Sequence, residues 1–141
     1  MDWSEDFYRN VFGDRMAGFA LRENDYVVGE RKFGGNAQSI SGPRWVHHTS
    51  FLWDFERDNM SLLTNPKKQP EYREGRDHND FLCRLAEFWP DRSTLEEALV
   101  QQLEARYKVQ EVDIETAEEQ VLQHDHRRAN KFVDLYDPGL K

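Results

Sequence analysis

A single cysteine, Cys83, stands in 141 residues. That excludes an intramolecular disulfide framework and points to a reducing compartment. No apolar run approaches the ~20 residues that a spanning helix needs, which excludes a transmembrane helix. Glycine is scarce, with eight residues and one adjacent pair, Gly34-Gly35. Basic residues are in the minority, nineteen against twenty-seven acidic ones, for a net charge of −8. That sign disfavours non-specific binding to nucleic acid or to anionic membranes. The opening Met-Asp-Trp-Ser-Glu-Asp is acidic and resembles neither a secretory signal nor an Arg-rich transit peptide. A cytoplasmic location is expected.

What the chain does have is aromatic: nine Phe, five Tyr and four Trp. Such residues bury large areas and argue against disorder. The length fits one domain across residues 1–141, able to bury roughly two-thirds of its unfolded surface. Phe7, Tyr8, Val11 and Phe12 are spaced for a short amphipathic helix within residues 1–14. Phe19–Arg22 reads as a strand, Glu23-Asn24 as a turn and Tyr26–Val28 as a second strand. A third is expected over Asn36–Ile40, after a Gly34-Gly35 turn.

Arg44–Phe55 alternates Trp45, His47, Thr49, Phe51, Trp53 and Phe55 on one face with Val46, His48, Ser50 and Leu52 on the other. The aromatic face should pack on helices. The His48 and Ser50 face either lines a pocket or meets solvent. Asn65–Arg76 carries two prolines and a glycine and is a loop. Its Lys67, Lys68, Arg73 and Arg76 suit a phosphate or an acidic partner surface, or are simply solvated.

His78–Trp89 has an apolar stripe for a helix that Pro90 ends, with Cys83 half-buried on it in a structural role. Ser93 opens a capping box before Leu95, Leu99, Leu103 and Tyr107. Lys108–Val112 is expected as a strand. Thr116 is expected to cap a helix running to about Arg128. His124 and His126, two apart on that helix, would point to different sides and lack the spacing of a zinc pair, so no metal site is expected. Asp137-Pro138-Gly139 suggests a frayed end.

The densest pattern lies at Asn24–His48. Lys32 stands just before Gly34-Gly35. A lysine at a strand end beside side-chain-free backbone can reach a carbonyl or phosphate oxygen, as an acyl-phosphate or adenylate site requires. A plain hairpin with a solvated lysine at its tip is the other reading of that spacing.

Asn24-Asp25-x-Val27-Val28, then Arg31-Lys32-x-x-Gly35-x-Ala37, then His47-His48, with Asn65-Pro66-Lys67-Lys68 further on, resembles the second half of a lipoate–protein ligase catalytic domain. The resemblance runs from Asn24 to about Tyr107. It implies the α+β fold of the biotin/lipoate ligases, a mixed or antiparallel sheet flanked by helices and related to class II synthetases. It also implies a two-step reaction. ATP and lipoate give lipoyl-AMP, and the acyl group then passes to a lysine of a lipoyl carrier, a 2-oxoacid dehydrogenase E2 or glycine-cleavage H protein. Mg2+ would accompany ATP.

By matching position, Lys32 would be catalytic. Asn24, Asp25, Gly34, Gly35, Asn36, Ala37 and His48 would surround the adenylate and lipoyl group. Two departures stand out. The family's Arg-Arg-x-x-Gly-Gly-Gly stretch is missing, since Arg127-Arg128 is followed by Ala-Asn, and His47-His48 precedes Thr-Ser where Gly-Thr is usual. Half a ligase domain is thus implied, not competent by itself, with an exposed sheet edge that invites self-association or the missing half. An upstream transit segment would move it to a mitochondrion or plastid. Two other functions fit the chain: non-catalytic binding of a carrier or partner ligase, and an ATP-independent octanoyl or lipoyl transferase.

Overall fold

Phe7, Val11 and Phe12 recur at helical spacing and, with Ser4, form the buried side of α1 (Asp2–Phe12). Asp2 and Glu5 in its first turn and Arg9 in its last complement the helix dipole. The computed structural model describes residues 2–123. The chain forms two compact units, Met1–Lys108 and Val109–Lys141.

In the first unit, a 3-10 turn at Gly13–Met16 leads from α1 into a four-stranded sheet. The strands are β1 (Phe19–Arg22), β2 (Asp25–Val28), β3 (Arg31–Ser41) and β4 (Arg44–Phe51). They lie in chain order, each antiparallel to the next. Two-residue turns connect all four, the first of them Glu23-Asn24 as expected. Gly42, at φ +58°, supplies the positive dihedral that such a turn needs at its first position. Tyr26, Phe12, Phe33, Met16 and Leu85 are almost fully buried and form the centre of the core. Phe51 joins their ring cluster edge-on to Tyr8 and Phe12 and stacked on Phe33.

Gly34-Gly35 is not a turn: it lies inside β3. A Cβ on Gly34 would stand 2.7 Å from Phe51 Cδ1 and 2.8 Å from the Ser50 carbonyl. Glycine is there because the neighbouring strand comes too close for any side chain. β4 ends at Phe51, and its aromatic face divides. Phe51 packs under α1, whereas Trp45 is exposed and touches the rim residue Trp3.

The helix expected over His78–Trp89 is broken. Only α3 (His78–Phe81) and a 3-10 turn at Leu85–Glu87 form, after α2 (Arg57–Ser61). Between them the Cys83 N–H donates to the Lys32 carbonyl at 2.8 Å, and Leu82 makes a parallel bridge to Lys32. Hydrogen bonds to β3 override helical propensity there, yet Phe81, Leu85 and Trp89 still reach the core. α4 (Arg92–Arg106) buries Leu95 and packs Ala98 and Leu99 on the core. Its cap is Asp91, which accepts from the Thr94 N–H at 2.8 Å, two residues before the Ser93 expected.

In the second unit, 109–112 forms no strand, having no pairing partner among the described residues. α5 (Ile114–Leu122) follows, capped by Asp113 rather than Thr116. His124, His126, Arg127, Arg128 and Asp137-Pro138-Gly139 lie outside the described residues. The fold is α+β, an antiparallel sheet flanked by helices.

Candidate functional site

The site grows from an irregularity in the ladder between β2 and β3. Asp25 pairs with Gly35 and Tyr26 with Gly34, but Val27 pairs with Lys32, so Phe33 is an extra residue in β3. Such a bulge re-aims side chains and is frequent beside functional sites. Here it brings Lys32 and Gly35, three residues apart, to the face shared by Asp25 and Val27, while Phe33 enters the core. Lys32 is therefore near the start of a central strand rather than in a loop.

Lys32 Nζ lies 2.6 Å from Asp25 Oδ1. Asp25 is buried and Lys32 is about a third exposed, which leaves the ammonium reachable. Gly35 lies directly beside the pair: a Cβ there would make ordinary contacts, 3.6 Å from Nζ and 3.7 Å from Asp25 Oδ1. The second Asp25 oxygen accepts from the Tyr72 hydroxyl at 2.8 Å. Asn24 and Asn36 are tied together beside the pair. The Asn24 carbonyl accepts from the Asn36 backbone N–H at 3.1 Å and from its side-chain amide at 3.0 Å.

Two cavities flank Lys32. One, of about 260 Å3, lies among Asn24, Asp25, Lys68, Gln69 and Arg73. The other, of about 330 Å3, lies among Gly34, Gly35, Ser50, Phe51, Leu52 and Leu82. Lys32 lines both, and no other residue does. The first presents charged and amide side chains of both signs, Glu23 and Asp25 as well as Lys68 and Arg73, among Pro66, Pro70 and Phe81; the second is walled by backbone and hydrocarbon.

The remaining residues singled out in the sequence are dispersed. Ala37 and His48 pair with each other across β3 and β4, exposed and outside both cavities. Lys67 is exposed and lines neither cavity, whereas Lys68 lines the first. Arg73 is buried and donates to Asn65 Oδ1 at 2.6 Å and to the Arg76 carbonyl at 2.9 Å, its guanidinium over the Phe81 ring. Arg76 donates to the Arg73 and Tyr72 carbonyls. Both arginines thus hold the loop in shape, and desolvation pulls the Arg73 guanidinium below its ordinary range.

Cys83 sits on the extended segment rather than a helix. It is fully buried, and burial pushes its thiol up to about 11, so little thiolate exists at neutral pH. Among the described residues no group of three or more His, Cys, Asp or Glu could hold a metal ion, and no helix is long and apolar enough to cross a membrane. Ser50, from the face expected to line a pocket or meet solvent, does line the second cavity, whereas sequence reasoning missed Tyr72 and Leu82. Only Tyr72 left a signal: one aromatic residue in a loop of prolines and charges.

Residues 4–123 match the family model described as the lipoyl protein ligase A/B catalytic domain. A curated relative, "Inactive lipoate--protein ligase 2" of Plasmodium falciparum (isolate 3D7), is 43% identical over 75 residues. That alignment covers 45% of this chain and 20% of the relative, so the chain spans about a fifth of its length. No solved structure matches the chain. With the match extending over most of its length and an antiparallel α+β architecture to go with it, the chain belongs to the lipoyl protein ligase A/B catalytic domain family.

Proposed function

We propose that this domain holds a lipoyl-adenylate across the two cavities and presents its acyl carbon to the amine of a carrier lysine. One observation carries the reading: Lys32 is the residue common to a cavity lined by charged and amide side chains and one walled by backbone and hydrocarbon. An acyl-adenylate has the same division, with a phosphate and nucleoside on one side of the acyl carbonyl and a hydrocarbon tail on the other. Lys68 then stands on the phosphate side and the Leu52–Leu82 wall on the tail side.

The carrier amine attacks the acyl carbon, an amide forms, AMP leaves with the bonding pair, and the amine's proton is released. Negative charge grows first on the acyl oxygen and then on the departing phosphate. A fixed ammonium between the two stabilises both without reorganising, and removing such a donor typically costs about 3–4 kcal/mol. ATP and lipoate are the substrates of the preceding activation step. Magnesium would travel with the ATP phosphates, and none of the described residues is assigned to it.

A second reading is non-catalytic binding of a lipoyl carrier. The name of the Plasmodium relative, an inactive ligase, favours it. Supplying preformed lipoyl-adenylate and an apo carrier separates the two, because it bypasses ATP. Intact-mass measurement of the carrier should show lipoylation by the wild-type chain. Lys32→Ala should reduce it on the order of 10²–10³-fold at an unchanged melting temperature. Carrier binding with no lipoylation by the wild-type chain would leave the second reading.

A further inference from the structure

The Asp25 carboxylate serves two masters from two parts of the chain. Oδ1 meets Lys32 Nζ at 2.6 Å, and Oδ2 accepts from the Tyr72 hydroxyl at 2.8 Å. Tyr72 belongs to the 3-10 turn Glu71–Arg73 of the 65–76 loop, not to the sheet. Its ring lies between the Arg22 guanidinium at 5.5 Å and the Phe81 ring at 5.3 Å. Arg22 is itself held by a two-pronged pair with Glu30, both contacts at 2.8 Å. A second tie joins the same turn to the same end of the sheet, the Glu71 N–H donating to Glu23 Oε1 at 3.1 Å.

We infer that Tyr72 is a positioning residue for Lys32, acting through Asp25, so that docking of the 65–76 loop sets where the ammonium is held and how freely it leaves the carboxylate. The inference rests on the proposed role of Lys32. An ion pair at a partly exposed position contributes little when its carboxylate must be ordered at the same time. A neutral donor on the second oxygen does that ordering beforehand. Burial, with Asp25 next to it, holds the Tyr72 hydroxyl well above the ordinary phenol range, so it stays a donor. The loop that walls the first cavity is the same loop that fixes Asp25. A ligand phosphate entering there therefore meets a lysine whose release depends on the loop's position.

The test needs no lipoyl transfer, so its failure is distinct from failure of the ligase reading. The chain is acetylated with an N-hydroxysuccinimide ester, and each lysine is followed by mass spectrometry with Lys108 as internal reference. Asp25→Asn should speed acetylation of Lys32. Tyr72→Phe should also speed it, by about threefold to tenfold, tenfold corresponding to ~1.4 kcal/mol. The double variant should exceed Asp25→Asn by nothing, because Tyr72 acts only through Asp25. An unchanged or slower Lys32 in Tyr72→Phe would overturn the inference, as would additive rates in the double variant.

A melting temperature far below wild type would mean that Tyr72→Phe has unfolded the chain, which the already exposed Lys108 would not reveal. The reciprocal measurement then decides. Coupling acts equally in both directions, so Lys32→Met should speed amide hydrogen exchange at Arg73 and Glu74, which bond within the loop to Pro70 and Glu71. Unaltered exchange at those amides would equally overturn the inference.

Discussion

The two ends of β3 differ more than most pairs of strands do. From Arg31 to Asn36 the strand is buried or half-buried, pairs with β2 over 31–35 and with β4 from Gly34 onward, and carries Lys32, the bulge and both glycines. From Ala37 to Ser41 it pairs with β4 alone, and every residue is exposed. By sequence only the second end reads as a strand, after a Gly34-Gly35 turn. What separates the two is cover: β2, the 82–83 segment and a helix layer fix side chains within a site at the first end, whereas a two-stranded ribbon does not. The candidate chemistry lies where β2 and that segment flank β3, and His48 and Ala37, on the ribbon, fall away from it.

Substitutions at both ends sharpen that contrast. The largest loss is expected at Phe33, fully buried against Phe12, Phe19 and Phe51. Phe33→Ala should cost about 3–5 kcal/mol in denaturant unfolding. Next comes Gly34→Ala, whose methyl would meet the Ser50 carbonyl and the Phe51 ring, both under 3 Å. A loss of about 1–3 kcal/mol is expected, readable as a lower melting temperature. Gly35→Ala, one residue on, meets only ordinary contacts and should melt close to wild type.

A pH effect tests where the ribbon touches the helix. His47 of β4 faces α1, its Nε2 at 3.2 Å from Ser4 Oγ and 3.3 Å from the Tyr26 hydroxyl. Ser4 and Tyr26 are also bonded to each other, and Trp3 stands edge-on to the imidazole. Burial lowers the His47 pKa from its ordinary 6.5. The unfolded chain then binds more protons than the folded one. Stability from this cluster is thus fully present above pH 6.5 and lost as pH falls through the lower folded value. Melting at pH 7.5 and at pH 5 should show the drop, and His47→Gln should flatten it. The smallest effect is expected at the far end of the ribbon. Ile40, 73% exposed, should tolerate Ala within about 0.5 kcal/mol, and a larger loss would mean that something covers the ribbon.

α1, β1, β2 and α4 were legible because a single periodicity decided each of them. Asn24, Asp25 and Lys32 were legible as a cluster because short motifs stood in a recognisable order. Gly34-Gly35 was misread since glycine marks a turn and a close strand approach with the same letter. Glu23-Asn24 was read correctly as a turn, whereas the turns after β2 and β3, Gly29-Glu30 and Gly42-Pro43, carry equally ordinary signals. The stripe after His78 predicted the right buried residues in the wrong conformation, because the hydrogen bonds that pull Cys83 onto β3 come from fifty residues upstream. The role of Tyr72 was not legible for a related reason: its partner is a carboxylate on β2, distant in the chain.

The extra residue at Phe33 also limits which changes of chain length this domain tolerates. Lys32 and Gly35 are three apart yet share a face, so deleting Phe33 or Gly34 would leave them two apart on that same face by ordinary alternation, with their partners on β2 unchanged. A residue deleted from the regular ladder, between Gly35 and Ser41, would instead shift the register with β4 and turn the side chains of one flank to the other face. A one-codon deletion thus disturbs side-chain direction least at the irregularity and most beyond it.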